Sequence, residues 1–148
     1  MVSLLPTDLA RAIIDRFVQE WAGLGKPMEA LPSRGVMRLI VLAESEAEAS
    51  RTAARAYRSW LAHMRYLWDR HGTPFLLNLP SEIGPLREAG AAFVGTASGL
   101  RDFVSSQVKA IGANYLSCDV AFGDMSFEEA LRTTELIGRD VIPAFREE

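Results

Sequence analysis

Val36-Met37-Arg38-Leu39-Ile40-Val41-Leu42-Ala43-Glu44-Ser45-Glu46-Ala47-Glu48-Ala49 is the stretch on which the fold turns. Its first seven residues form a short, nearly continuous apolar run, too short for a buried helix and typical of a strand covered on both faces, as in parallel sheets. Ser45 followed three residues later by Glu48 is a capping-box signature, which predicts a long helix to about Arg70 with Gly72 and Pro74 ending it. A strand running straight into a helix is a βα unit. Within that helix Ala53, Tyr57, Trp60, Met64 and Leu67 or Trp68 recur at spacings of three and four, a stripe expected to enter the core. Arg51, Arg55, Arg58 and Arg65 fall on other faces.

The same alternation extends in both directions. Upstream, Leu9, Ile13, Phe17 and Trp21 recur every four residues, with Ile14 and Val18 widening the stripe. This predicts an amphipathic helix over Thr7–Leu24, capped by Thr7 or Asp8 and stopped by Gly23, Gly25 and Pro27, with a loop over residues 26–35. Downstream, Phe75–Leu79 reads as extended and Ser81–Ala89 as a short helix with Pro85 in its first turn. Ala91–Thr96 is a brief extended segment entering a helix marked by Leu100, Phe103, Val104, Val108 and Ile111 and ending at Gly112. Asn114–Phe122 is the best-defined strand, with Leu116, Cys118, Val120 and Phe122 on one side and Tyr115, Ser117, Asp119 and Ala121 on the other. Ser126 and Glu129 form a second capping box, and Phe127, Ala130, Leu131, Thr134, Ile137 and Val141 mark a last helix that Pro143 ends or bends. Strands alternating with helices imply right-handed crossovers and a parallel sheet.

Composition narrows the function classes. With 148 residues, 49% of them hydrophobic and 24% charged, the chain has the profile of one globular α/β domain over residues 1–148. A net charge of −3, without Lys/Arg clusters interleaved with aromatics, argues against a nucleic-acid partner. No apolar run approaches the roughly 20 residues that span a bilayer, and the first residues lack a signal-peptide pattern, so no membrane partner and a cytoplasmic location are expected. The lone Cys118, beside Leu116 and Val120, reads as a reduced core thiol.

Gly112-Ala-Asn-Tyr-Leu-Ser-Cys-Asp-Val-Ala-Phe-Gly-Asp-Met-Ser-Phe-Glu-Glu-Ala-Leu-Arg132, continuing to Val141-Ile142-Pro143-Ala144-Phe145-Arg146, resembles the C-terminal end of luciferase-like flavin-dependent monooxygenases. Val94-Gly95-Thr96 before a helix, the Arg38–Ala49 segment, Ala56-Tyr57-Arg58 and Leu67-Trp68-Asp69-Arg70-His71-Gly72 agree with it in order. The resemblance implies a (β/α)8 TIM barrel of the bacterial luciferase-like type. Such barrels usually need about 250 residues, so the implied fold class is α/β, the C-terminal part of a barrel that is incomplete in this chain. Val36–Leu42 and Asn114–Phe122 would be the last two barrel strands, with Val2–Leu5 a remnant of the strand before them. The resemblance further implies reduced flavin (FMN) as cofactor, an organic small-molecule substrate and dioxygen, and a flavin reductase as partner. Much of the family's flavin pocket comes from earlier barrel units, so this chain alone is expected to be inactive.

Gly95, Thr96 and Ala97 stand where the resembled family has a Gly-Ser/Thr-Pro turn opening a helix, and helix N-termini can receive a phosphate; they are the cofactor-binding candidates, with a plain helix cap as the alternative. Asp119 and Phe122 are the substrate-pocket candidates. Asp119 would point with Tyr115 and Ser117 toward the barrel axis, or pair with Arg38 on the neighbouring strand. No catalytic residue is identified. His63 and His71, eight apart, lack further ligands at metal spacing, and no metal is expected. Ser105 and Ser106 lie in no nucleophile elbow, Glu44, Glu46 and Glu48 suit a helix N-terminus, and no dinucleotide or NTPase loop is present. Two other readings stand beside the monooxygenase: a non-catalytic α/β binding or oligomerisation module, whose homo-oligomer would cover its open strand edges, and a deazaflavin-dependent oxidoreductase relative.

Overall fold

The computed structural model describes residues 1–75 and 78–146. In chain order it contains β1 (Val2–Ser3), α1 (Thr7–Gly23), β2 (Gly35–Leu42), α2 (Glu46–Arg70), α3 (Gly84–Glu88), β3 (Ala92–Gly95), α4 (Ala97–Ile111), β4 (Tyr115–Asp119) and α5 (Phe127–Leu136). Every strand pairing is parallel, as the alternating order requires. A strand residue has one neighbour on each edge. Val36 faces both Val2 and Leu116, and Leu39 faces both Ala92 and Asp119, so β1 and β3 lie end to end along one edge of β2 and β4 takes the other. The sheet is open, with β2 at its centre.

Burial follows from that position. All of β2 except Met37 is buried, and its two faces meet different helices. Val36 packs with Ala10 and Ile14 of α1 and Ile111 of α4, while Ile40 and Leu42 pack with Leu100 of α4, Leu136 of α5 and Val141. On the opposite face Leu39 and Val41 meet Ala49, Ala53, Ala56, Tyr57 and Leu61 of α2, together with Phe122. Gly123, at φ +62°, lets the chain after β4 run against the α2 backbone at the Ala56 carbonyl, where no Cβ fits.

The caps explain most element boundaries. Ser45 Oγ accepts from the Glu48 N–H, Thr96 Oγ1 from Gly99, and Ser126 and Glu129 form the full reciprocal box. Gly112, left-handed at φ 72°, closes α4.

Several expectations are corrected. The α1 face that meets the sheet is Ala10 and Ile14, packed on Val36, and Leu9, Ile13 and Phe17 stay 40–52% exposed. Thr7 does not cap α1: its hydroxyl donates to Ala89 O and accepts from Gln107 Nε2, and Asp8 serves only the neighbouring Leu9 N–H. The α2 stripe enters the core only as far as Leu61; Met64, Leu67 and Trp68 lie past the sheet and are 36–60% exposed. The last strand is shorter than Asn114–Phe122. Asn114 instead joins Arg34 through backbone and side chain, and past Leu39 the edge of β2 is taken by Thr133 of α5, so residues 120–122 have no ladder to join. The short helix starts at Gly84 rather than Ser81, with Pro85 in its first turn. α5 ends at Leu136 and widens into a π turn over Ile137–Val141, followed by a 3-10 turn over Ile142–Phe145, since Pro143 has no N–H to continue the α ladder. Within the segment read as extended, Phe75, Asn78 and Leu79 belong to no regular element, and Leu76 and Leu77 lie outside the described residues.

Candidate functional site

In parallel α/β sheets, ligands meet the protein where the strands' C-terminal ends give way to helix N-termini. Three such junctions converge here: Leu42–Ser45 entering α2, Gly95–Thr96 entering α4, and Asp119–Ser126 entering α5. Ala43 N–H donates to Gly95 O, tying the first two together. Between the first and third lies a cleft of about 150 Å3 lined by Leu42, Ala43, Glu48, Thr52, Glu129 and Arg132, among others.

Glu129 organises that cleft. Its carboxylate accepts from Ser126 N–H at 2.8 Å, from Thr52 Oγ1 at 3.2 Å and from Arg55 Nη2 at 2.6 Å, so one side chain joins the start of α5 to the flank of α2. Burial works against its charge, but the Ser126 N–H, Arg55 and Thr52 outweigh it and hold the pKa below the usual glutamate range. Arg55 also reaches Asp124 at 3.6 Å, and Arg132 reaches Glu44 at 3.6 Å. Each of these carboxylates has a cation beside it, an arrangement that ties α2 to the start of α5.

Gly95, Thr96 and Ala97 occupy the expected helix N-terminus. Thr96 caps it through Gly99, and a Cβ on Gly95 would meet the Glu46 carboxylate, Oε1 at 2.6 Å and Oε2 at 3.0 Å. The protein's own negative charge therefore lies against the positive end of α4. A flavin phosphate brought to this point would meet that carboxylate first, so the residues present do not make a phosphate cradle with Glu46 in place.

The register separates Arg38 from Asp119. Arg38 pairs with Cys118 and Leu39 with Asp119, so the two side chains leave opposite faces of the sheet. The expected ion pair is thereby corrected. Arg38 is fully buried against α4, where Nε and Nη2 donate to Gln107 Oε1 at 3.3 and 3.1 Å and Nη1 to Met37 O at 3.2 Å. Gln107 passes the chain on to Thr7, and Thr7 to Ala89. This is a buried cation held by neutral acceptors, and burial pulls its pKa down to about 10. Gln107 fell within the apolar stripe of α4, between Phe103 and Ile111; a lone polar residue at such a position was the available sign of a buried partner.

Asp119 shares its face with Tyr115 and Ser117. Its carboxyl is half-buried, and burial raises its pKa against the opposing effect of the Ala121 N–H. Phe122 lies on the far side of the turn, buried in the core under α2. The structure thus places Asp119 and Phe122 near one strand end and Gly95–Ala97 at the opposite edge of β2. Cys118 faces the other side, at the floor of an apolar cleft of about 300 Å3 between α4, β4 and the C-terminal turns, and burial pushes its thiol up. Among the described residues no group of three or more His, Cys, Asp or Glu gathers as a metal site, and no helix is long and apolar enough to cross a membrane.

No family model matches the chain. It is 36% identical over 138 residues to the uncharacterized protein y4wF of Sinorhizobium fredii, a match covering 93% of this chain and 40% of that one. The crystal structure of monooxygenase RslO1 from Streptomyces bottropensis superposes with a TM-score of 0.70 at 20% identity, over 99% of this chain and 41% of the other. The oxygenating constituent of 3,6-diketocamphane monooxygenase from Pseudomonas putida, a type II Baeyer-Villiger monooxygenase solved with FMN, gives 0.66 at 15% identity, over 93% and 40%. The chain therefore spans about two fifths of each relative's length. The superpositions show the fold alone: the α/β arrangement of this chain, with its open parallel sheet, is like that of the matching two fifths of those two structures.

Proposed function

We propose that this chain supplies the C-terminal βα units of a luciferase-like flavin-dependent monooxygenase, whose complete form oxygenates an organic substrate with reduced FMN and dioxygen. The observation that carries the reading is the superposition of 99% of the chain on 41% of a monooxygenase structure. The strand neighbours agree with it: β1, β2 and β4 lie side by side and parallel, in the order of consecutive barrel strands.

Bound flavin supplies the activation of dioxygen in such an enzyme. The residues of this chain have a narrower part. The face carrying Met37, Tyr115, Ser117 and Asp119 is the inner wall of the barrel, and α2, packed over Leu39 and Val41 on the same face, excludes water from its C-terminal mouth. Since the Glu46 carboxylate, from the start of α2, lies against Gly95 just before α4, the flavin phosphate is held by the units outside this chain. A flavin reductase delivers the reduced cofactor. The test is reconstitution: the full chain is co-expressed with the part of y4wF that it does not match, and bound FMN is read by absorbance and fluorescence after gel filtration. Stoichiometric flavin in the pair and none in either piece is the expected result. A folded pair that retains no flavin overturns the reading and leaves the binding-module alternative.

A further inference from the structure

The apolar stripe of α2 is longer than the sheet beneath it. Ala49, Ala53 and Tyr57 are fully buried on β2 and β3, Trp60 is half-buried, and the stripe then continues at the same spacing through Met64, Leu67 and Trp68, which are 39%, 60% and 36% exposed. At 1.5 Å per residue the helix is about 37 Å long, and its last third extends past the core. Among the described residues, what reaches this end is Phe75, whose ring meets Trp68 at 6.0 Å between centroids and lies under Arg65. A single stripe whose first half is core and whose second half is bare is the pattern of a helix shared between two packing partners.

The occupant follows from two observations. The relative that is 36% identical to this chain has about three fifths of its length outside the match, and the solved structures of this fold have a similar share. The stripe also emerges on the same face as Leu39 and Val41, the inner face of the sheet, at the C-terminal ends of the strands. Resting on the barrel reading above, we infer that Trp60, Met64, Leu67 and Trp68 form a ridge across the mouth of the barrel that docks on the remaining βα units, whether those are joined to this chain or separate. Beside the ridge Arg58 and Arg65 are already met within the chain, by Glu82 at 3.5 Å and Asp69 at 3.7 Å, so apolar contact carries the docking.

The experiment uses the full chain with the unmatched part of y4wF, the complex read by light scattering and its Kd by titration. Met64→Glu/Leu67→Glu places two charges on exposed positions, so circular dichroism is expected to show a folded variant. The double variant is expected to bind about tenfold or more weakly, and Leu24→Glu, at a 68% exposed position elsewhere, to bind like the wild type. Unchanged binding by the double variant overturns the ridge while the barrel reading stands. A complex that responds to the variants but holds no FMN upholds the ridge and overturns the flavin reading. No complex at all overturns both. If the chain alone is a dimer that the double variant dissolves, the ridge belongs to a second copy and the inference fails.

Discussion

The buried pair Arg38 and Gln107 allows a prediction with opposed signs. Gln107 Oε1 is the acceptor for two guanidinium N–H groups of a fully buried side chain, and Gln107 Nε2 holds Thr7. Gln107→Leu strands the cation with only the Met37 carbonyl. Hydrogen bonds to a charged group contribute about 1.5–3 kcal/mol, and leaving a buried charge without its partner costs about 3–5 kcal/mol, so a loss of about 3–4 kcal/mol is expected. Arg38→Met removes the charge itself. It leaves one amide oxygen unsatisfied, at about 1–3 kcal/mol, but relieves the desolvation that pulls the guanidinium pKa down to about 10, so its net loss is about 1 kcal/mol. In the double variant neither penalty remains, apart from the lost contact to Thr7. Urea unfolding of the four proteins therefore closes a cycle with a coupling energy of about 2 kcal/mol or more. Additivity within about 0.5 kcal/mol, or a larger loss for Arg38→Met than for Gln107→Leu, would refute the argument that the charge is carried by the neutral amide.

Thr133 Oγ1 both accepts from Leu42 N–H and donates to Leu42 O, each at 3.2 Å, so Thr133→Val leaves two buried backbone groups open and lowers unfolding free energy by about 2–4 kcal/mol in the same assay. Gly123→Ala must place a Cβ against the Ala56 carbonyl at a left-handed φ, and a loss of more than about 2 kcal/mol, read as a drop in Tm, is expected; an unchanged Tm would remove that close approach from the account. Tyr57 donates to Pro80 O at 2.7 Å, and burial, with Glu82 nearby, pushes its pKa up to about 12. The folded form keeps a proton that the unfolded chain sheds near pH 10, so this contribution is complete below pH 10 and is lost as pH rises through 12. Wild type minus Tyr57→Phe is thus expected to be about 1 kcal/mol at neutral pH and to fall over that interval through zero to a negative value.

Where a local signal and the tertiary packing coincide, the sequence was legible. Ser45, Thr96 and Ser126 start their helices because a cap satisfies its own first turn whatever surrounds it, and Val36–Leu42 is recognisable because a strand covered on both faces has no polar side to show. Legibility ended where a residue's role depends on a distant element. Thr7 carries a capping residue's chemistry yet serves Ala89 and Gln107, 82 and 100 residues away in sequence. Asp119 and Arg38 were placed one register step too close, and in a strand one step reverses the face. Helical periodicity located a stripe on α1 but not which of Leu9 and Ala10 would meet the sheet, a choice that rests on the packing partner and not on the helix itself.

The distribution of charge bears on what this chain contributes to a site. Buried polarity is spent on structure: Arg38, Gln107 and Thr133 each join a strand to a helix, and among the described residues no buried side-chain nitrogen or oxygen lacks a hydrogen-bond partner. An active site holds polar groups in reserve for a substrate, partly buried and not yet committed. On the strip of Tyr115, Ser117 and Asp119, Asp119 is half-buried, burial raises its pKa against the opposing Ala121 N–H, and it takes part in no ion pair among the described residues. On the proposed barrel reading the next strand would cover this sheet edge, and added burial raises a carboxyl further. On the barrel reading proposed above, this strip with its half-buried acid is one wall of a site whose other walls lie on units outside this chain.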